Sequence, residues 1–376
     1  MSFLEVKNLN ISYPTRKETI VASKDVEFTL ERGEILGIVG ESGSGKSTIA
    51  NAIINLIDPP GEITSGSIKI DNYELRDNEE LIQKIRGKKI GLIFQDPQTS
   101  LNPLLTIGEQ LIETIQTHLD LDFKESKNRA IKLLQEVGIK DAKNRFDNYP
   151  HQFSGGMRQR VVISLALCCE PELLIADEPT TALDVTVQKE VLALIKRLQK
   201  KHEMACLFIS HDLELVREVT DTNAVMQNGV IVEYKSTKEL FENPTHPYTK
   251  ALLACRPNLN KNLKSLATVS DFLENPNFDI NRFYQENTLQ PEEVQIHRNS
   301  LYRKQPILEI KQLTKEYSTN NFFGKGTVIP ALDTISLDLF KGESLGVVGE
   351  SGCGKSTLSK CIVQLERQTV GDILFS

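Results

Sequence analysis

The run GESGSGKS at 40–47 sets three glycines, a lysine and a serine in the spacing G-x-x-x-x-G-K-[ST]. Glycines let the backbone curl until its N–H groups face inward at phosphate oxygens. A helix beginning at such a loop adds the partial positive charge of its N-terminus. In such a loop Lys46 bridges the β- and γ-phosphates of a nucleotide, and the Ser47 hydroxyl holds Mg²⁺. The motif follows the apolar run Ile35–Val39 and precedes a stretch of helical spacing at 47–57, the context a phosphate loop requires.

Two further groups add chemistry. LLIADE at 173–178 is an apolar strand ending in two carboxylates. Alone they would be solvated strand-end charges; after a phosphate loop, Asp177 is placed to hold Mg²⁺ and Glu178 to polarise an attacking water. FSGGM at 153–157 precedes a helical stretch at 158–169. Ser154, Gly155 and Gly156 then offer a hydroxyl and free amides at a helix start, a second anion site. One nucleotide does not need two such helices within one domain, so the pair points to a nucleotide shared between two domains.

The elements that must carry these groups alternate. Short apolar runs at 173–176 and 205–209 read as buried parallel strands, and 186–200 reads as a helix. That alternation predicts an α/β core. The chain then repeats itself. GEILGIVGESGSGKST at 33–48 returns as GESLGVVGESGCGKST at 342–357, with 13 of 16 positions identical. LEVKNLNISY at 4–13 returns as LEIKQLTKEY at 308–317, and GSIKI at 66–70 is echoed by GDILF at 371–375. The expected organisation is a complete domain at 1–255, a linker with a short helix at 256–304, and the start of a second domain at 305–376. The 256–304 stretch is rich in Asn and has no Gly; a small insert packed on the first domain is the other reading.

Composition narrows the classes. The net charge is 44 minus 51, or −7, against a chain built to coat nucleic acid. The longest apolar run, 161–169, is broken by Ser164 and far short of the roughly 20 residues of a membrane span. No apolar leader follows the N-terminus. Six cysteines with no C-x-x-C fit reduced thiols better than a disulfide scaffold or zinc site.

Taken together, the ordered set resembles the nucleotide-binding domain of ABC transporters, over essentially all of 1–255 and the beginning of a second such domain. The resemblance implies an α/β fold: a P-loop NTPase core of the ABC type, with a helical subdomain and an antiparallel β subdomain at the N-terminal side. Residues 40–48, including Gly40, Ser42, Gly43, Gly45, Lys46, Ser47 and Thr48, resemble the Walker A loop, and 173–177 Walker B with Glu178 as the catalytic carboxylate. Ser154, Gly155 and Gly156 lie in the signature motif, which reads FSGGM where the family more often has LSGGQ. Gln95 matches the Q-loop glutamine, with roles in catalysis and at the metal beside Ser47 and Asp177. Ala182, Leu183 and Asp184 match the D-loop, with Thr181 where serine is commoner. His211 matches the switch histidine, a catalytic group with Glu178, Gln95 and Lys46, and Tyr13 the aromatic that stacks on adenine. In the second copy, Tyr317, Gly349, Gly352, Gly354, Lys355, Ser356 and Thr357 match the nucleotide-binding positions.

FQDPQTSLNP at 94–103, HQFSGGMRQR at 151–160 and NPTHPYTKALL at 243–253 look like the dipeptide/oligopeptide/nickel uptake branch. That branch implies an ATP-hydrolysing importer subunit with ATP and Mg²⁺, working from the cytoplasmic side of the membrane. Its partners would be integral-membrane permease subunits, an external substrate-binding protein reached through them, and another nucleotide-binding domain, but no nucleic acid. Some members carry an iron–sulfur segment beyond this extension; here Cys255 stands alone before Cys353, so no cluster is expected. Competing readings are a soluble ABC ATPase of translation or DNA repair, and an ATP-binding fragment without turnover. The second copy is expected to bind nucleotide poorly and to be unstable or partly disordered, because the Q-loop, signature, Walker B and switch histidine have no match in it; amide protection equal to the first domain's would refute this.

Overall fold

The structure of the protein, a computed structural model, describes every residue except Met1, Ala182, 256–261, 276–277, 320–326 and Ser351. It divides into two units, Met1–Arg256 with Ala267–Phe278, and Pro257–Leu266 with Asp279–Ser376.

In chain order the first unit holds β1 (Leu4–Pro14), β2 (Thr19–Leu30), β3 (Ile35–Val39), α1 (Lys46–Ile53), β4 (Glu62–Ile70), β5 (Tyr73–Glu74), α2 (Glu79–Ile85), β6 (Ile90–Ile93), α3 (Pro97–Ser100), α4 (Ile107–His118), α5 (Phe123–Glu136) and α6 (Ala142–Arg145). After a 3-10 turn at Pro150–Gln152 come α7 (Gly155–Leu167), β7 (Leu173–Asp177), α8 (Val185–His202), β8 (Ala205–Ser210), α9 (Leu213–Val219), β9 (Thr222–Gln227), β10 (Val230–Ser236), α10 (Thr237–Glu242), α11 (Pro247–Ala254) and α12 (Val269–Glu274).

Strands β2-β1-β4-β5 form an antiparallel sheet, and β10-β9-β3-β8-β7-β6 a mixed one. In the second sheet β3 pairs in parallel with β8 and β9, while β10 runs antiparallel to β9. All five residues of β3 are buried, because a strand between two parallel neighbours is covered on both faces. Successive residues serve opposite faces: Ile35 and Val39 join one apolar cluster, Leu36 and Ile38 the other. The first cluster reaches α4, α5 and α7; the second fills the space toward the antiparallel sheet and α1. The helices α4 to α6 form the helical subdomain that the resemblance implies. Thr106 with Glu109 and Asp122 with Glu125 cap α4 and α5 reciprocally, which sets where each begins.

Several boundaries differ from the sequence reading. Helix α1 stops at Ile53 instead of 57, because Asn55 takes a left-handed φ of 51° and its amide turns back to the Ala52 carbonyl. Helix α7 starts at Gly155, so the two signature glycines form its first turn. Among the described residues, the 256–304 stretch carries three helices where one was expected. Of these α12 belongs to the first unit, where Val269 packs on its core. The other two, α13 (Ile280–Asn287) and α14 (Pro291–Leu301), belong to the second.

The second unit continues with β11 (Pro306–Thr319), β12 (Thr327–Phe340), α15 (Lys355–Ile362) and β13 (Val370–Phe375). Its sheet order, β12-β11-β13, repeats β2-β1-β4 of the first unit. Leu308, Ile310, Leu313, Leu332, Leu358 and Cys361 make its buried cluster. The run 344–348, equivalent to β3, is not a strand. Val348 is 91% exposed where its counterpart Val39 is 0% exposed. Ser344 stands where β3 has Ile35, and among the described residues no strands equivalent to β8 and β9 flank the run.

One polar anchor fixes the end of the first unit. Glu233 on β10 accepts from the Thr245 amide and hydroxyl, both at 2.7 Å, and from the His246 amide at 3.1 Å. Its ion pair with Lys235 is 2.9 Å long. Burial alone would raise this carboxyl, but the nearby Thr249 hydroxyl, the Lys235 ammonium and the Thr245 bonds outweigh it and bring it down to about 2 from 4.5. A carboxyl depressed on folding stabilises the protein above its unfolded value and loses that contribution as pH falls through its folded value. Glu233 is therefore expected to contribute on the order of 3 kcal/mol above pH 4.5, lost between about 4.5 and 2. Denaturant titrations across that window should show a shallower acid slope for Glu233→Gln than for the native chain.

Candidate nucleotide-binding site

The phosphate loop leaves the C-terminal end of β3 and enters α1. Gly45 has a φ of 100°, and a Cβ there would overlap the Ala22 carbonyl, so glycine is required. It caps α1 without a side chain, which leaves the first-turn amides of α1 available to an anion. Lys46 is buried, and its ammonium donates to the carbonyls of Gly40 at 2.9 Å and Glu41 at 2.8 Å, with Ser44 Oγ at 3.5 Å. Burial pushes this ammonium below its ordinary pKa. A phosphate beside it would offset that desolvation.

One groove brings together Tyr13, Ser42, Gly43, Gly45, Lys46, Ser47, Thr48, Gln95 and Glu178. Ile20 and Val21 of β2 and Pro60 add apolar wall near Tyr13, a surface suited to the flat face of a base. The sequence reading missed these three.

Ser47 Oγ donates to Asp177 Oδ1 at 3.0 Å. This joins the helix start to the end of β7 across 130 residues. Burial pushes the Asp177 carboxyl above its ordinary range, and the Glu178 charge adds to that against the Ser47 bond. Hydroxyl and carboxylate are hard oxygen donors, and a buried carboxyl raised in this way has a cation to gain; the pair fits Mg²⁺.

Glu178 is held from three directions. Gln95 Nε2 donates to Oε2 at 3.0 Å, Thr181 Oγ1 donates to Oε2 at 2.9 Å, and His211 Nδ1 lies 3.0 Å from Oε1. Its backbone sits at φ 46°, which a non-glycine residue adopts only under constraint, and its amide is fixed to the Ile209 carbonyl at 3.0 Å. Burial would raise this carboxyl, but His211 and Thr181 outweigh it and keep it below the usual range. It is ionised at neutral pH and aimed rather than strongly basic. Gln95 reaches this carboxylate and is not bonded to the Ser47–Asp177 pair. Thr181 as a partner of Glu178 was not anticipated.

Ser154, Gly155, Gly156 and Asp184 lie apart from the groove. Ser154 caps α7, its Oγ accepting the Met157 amide at 3.4 Å, and a Cβ on Gly156 would press on Val187 of α8. Asp184 caps α8 by accepting the Val187 amide at 3.0 Å. Ala182 of the expected D-loop lies outside the described residues. The first unit alone therefore does not join its two anion sites.

In the second unit Lys355 donates to the carbonyls of Gly349 at 2.6 Å and Glu350 at 2.7 Å, as Lys46 does, yet it is only half-buried, on a loop without a flanking strand. Gly352 and Gly354 bring the loop into α15, where Ser356 and Thr357 stand in the first turn. Tyr317 packs under the Lys315 ammonium at 4.8 Å.

The family model described as ABC transporter matches residues 23–181 and 332–376. A second, described as the oligopeptide/dipeptide transporter C-terminal region, matches 232–277. The chain is 39% identical to the glutathione import ATP-binding protein GsiA of Shigella dysenteriae serotype 1, over 99% of this chain and 60% of the relative. It is 40% identical to the protein of the same name from Escherichia coli K12, with the same coverage. The chain thus spans about 60% of the length of the curated relatives it matches. Among solved structures, it is similar to the dimeric post-hydrolysis state of the ATP-binding cassette MJ0796 bound to ADP and Pi. There the TM-score is 0.56 and the identity 30%, covering 62% of this chain and 98% of that one. It is also similar to cbiO1 from Clostridium perfringens, part of the cbiONQ complex, with TM-score 0.56 and 29% identity over 64% of this chain and 91% of that one.

Proposed function

The chain belongs to the ABC transporter family, and from that premise we propose that its first unit hydrolyses ATP to drive import through integral-membrane permease subunits. The cargo class is a di- or oligopeptide or nickel. Glutathione, named in the relatives, falls within that class as a tripeptide. The match of 232–277 to the oligopeptide/dipeptide C-terminal region supports the branch. Among the described residues no helix is long and apolar enough to cross a membrane; in this reading the permease subunits supply the path for cargo. Those chains place this one on the cytoplasmic face of a membrane, and cargo reaches them from an external substrate-binding protein.

The observation that carries the reading is that Lys46, Ser47, Gln95 and Glu178 line one groove, with Asp177 bonded to Ser47 and His211 to Glu178. Tyr13 with Ile20 and Val21 receives the base. Lys46 and the loop amides bind the phosphates. Ser47 and Asp177 would hold Mg²⁺, which would supply positive charge to offset that of the phosphates. Glu178 accepts a proton from the attacking water, and Gln95, Thr181 and His211 keep its carboxylate aimed. Ser154, Gly155 and Gly156 complete the site of a partner domain head-to-tail, because in their own unit they lie apart from the groove. Closure of that pair on ATP and its reopening after hydrolysis is the motion passed to the permease. An apolar cleft lined by Ile54, Leu92, Phe94, Ser100, Thr114 and Val162 opens beside Gln95 and is the surface offered to it.

Ser154→Arg should leave nucleotide binding to isolated chains intact and abolish MgATP-dependent pairing and turnover. Light scattering and phosphate release check this; pairing that survives the substitution would overturn the head-to-tail site. Co-purification with polytopic membrane proteins, rather than with ribosomes or DNA, checks the importer assignment.

A further inference from the structure

The HPYT segment that follows the core reaches back to the phosphate loop. Tyr248 is 1% exposed, its ring held within the main apolar cluster of the first unit. Its hydroxyl accepts the Glu41 amide at 3.2 Å and donates to Glu41 Oε2 at 3.3 Å. The two residues are 207 positions apart. The approach is fixed from behind: Glu233 binds the amides of Thr245 and His246, and His246 Nδ1 accepts the Tyr248 amide at 3.2 Å at the start of α11.

Glu41 is the one acidic residue in the loop 40–47, and its carbonyl holds the Lys46 ammonium. A free carboxylate at this place would compete with phosphate for Lys46 and repel it. The second copy separates loop shape from charge placement. Its glycines reach nearly the same φ angles, 86° and 98° against 81° and 100°, and Lys355 makes the same two carbonyl bonds. Among the described residues no phenol bonds Glu350. The phenol is therefore not needed to shape the loop.

We propose that Tyr248 is a positioning residue for nucleotide: its phenol holds the Glu41 carboxylate away from the phosphate cradle. This rests on the reading that the groove binds ATP. It gives the C-terminal segment a task at the nucleotide, beyond closing the core.

The test is a pair of substitutions in the full chain, read by titration with a fluorescent ATP analogue and Mg²⁺. Tyr248→Phe keeps the ring in the core and frees Glu41, so analogue affinity should fall roughly tenfold. The apparent KM for ATP should rise with it while kcat is kept, and the melting temperature without nucleotide should stay near that of the native chain. Glu41→Gln alone removes the charge, and its affinity is the reference for the double variant. The double variant Tyr248→Phe with Glu41→Gln should recover that affinity, because the charge to be restrained is gone. A merely structural role for the phenol predicts no recovery. Tyr248→Phe binding like the native chain, or a double variant as weak as Tyr248→Phe alone, would overturn the proposal. A native chain that fails to bind the analogue would instead overturn the nucleotide reading, and this inference with it.

Discussion

Glu178→Gln is expected to lower ATP turnover by about three orders of magnitude, within the usual worth of a positioned general base, while leaving nucleotide bound. The change removes one charge and one proton acceptor and keeps the shape. The surrounding geometry explains the size of the loss. Gln95, Thr181 and His211 converge on this carboxylate, and no other carboxylate among the described residues shares all three partners. With its pKa held low, Glu178 contributes position and charge more than basicity, and an amide supplies neither role for the water proton. Stalling hydrolysis should also trap the closed pair. Light scattering should then show a monomer becoming a dimer on adding MgATP, reversed by removing nucleotide. Turnover retained above about a tenth would mean that another group accepts the proton.

Lys46→Ala should weaken MgATP binding roughly a hundredfold or more, the scale of removing one partner from a buried charge contact. Lys46 is 4% exposed and already aligned by the Gly40 and Glu41 carbonyls, so little ordering remains when phosphate arrives. Lys355→Ala is the informative companion. Its ammonium makes the same loop contacts but is only half-buried, so water screens it. Calorimetric titration should therefore show a large loss for Lys46→Ala and almost none for Lys355→Ala. Equal losses would mean that the second copy binds nucleotide as well as the first.

Much of this site was legible because its chemistry is written in short contiguous runs. GESGSGKS, LLIADE and FSGGM each place their groups by local rules: a glycine turn, a strand end, a helix cap. What was not legible is how those runs meet. The apolar wall of Ile20, Val21 and Pro60 beside the phosphate loop, and the Tyr248–Glu41 contact across 207 positions, pair residues by distance in space, for which sequence spacing has no signal. The helices within 256–304 were missed for a different reason. They are short, at 6, 8 and 11 residues, and local caps such as Thr268 with Asp271 set their starts.

The two copies of the phosphate loop separate the contributions of sequence and fold. Sequence alone determined the loop: both copies carry their second and third glycines at φ near 80–100° and wrap two carbonyls around the lysine. Those are interactions within a few residues, closed by backbone geometry. Tertiary structure decided whether the loop stands on a strand. Ile35-Leu-Gly-Ile-Val39 and Ser344-Leu-Gly-Val-Val348 differ at two positions, Ile35 against Ser344 and Ile38 against Val347, and only the first is a buried strand, between β8 and β9. A strand must pair its amides and carbonyls with neighbours, and those neighbours come from about 170 residues farther along the chain.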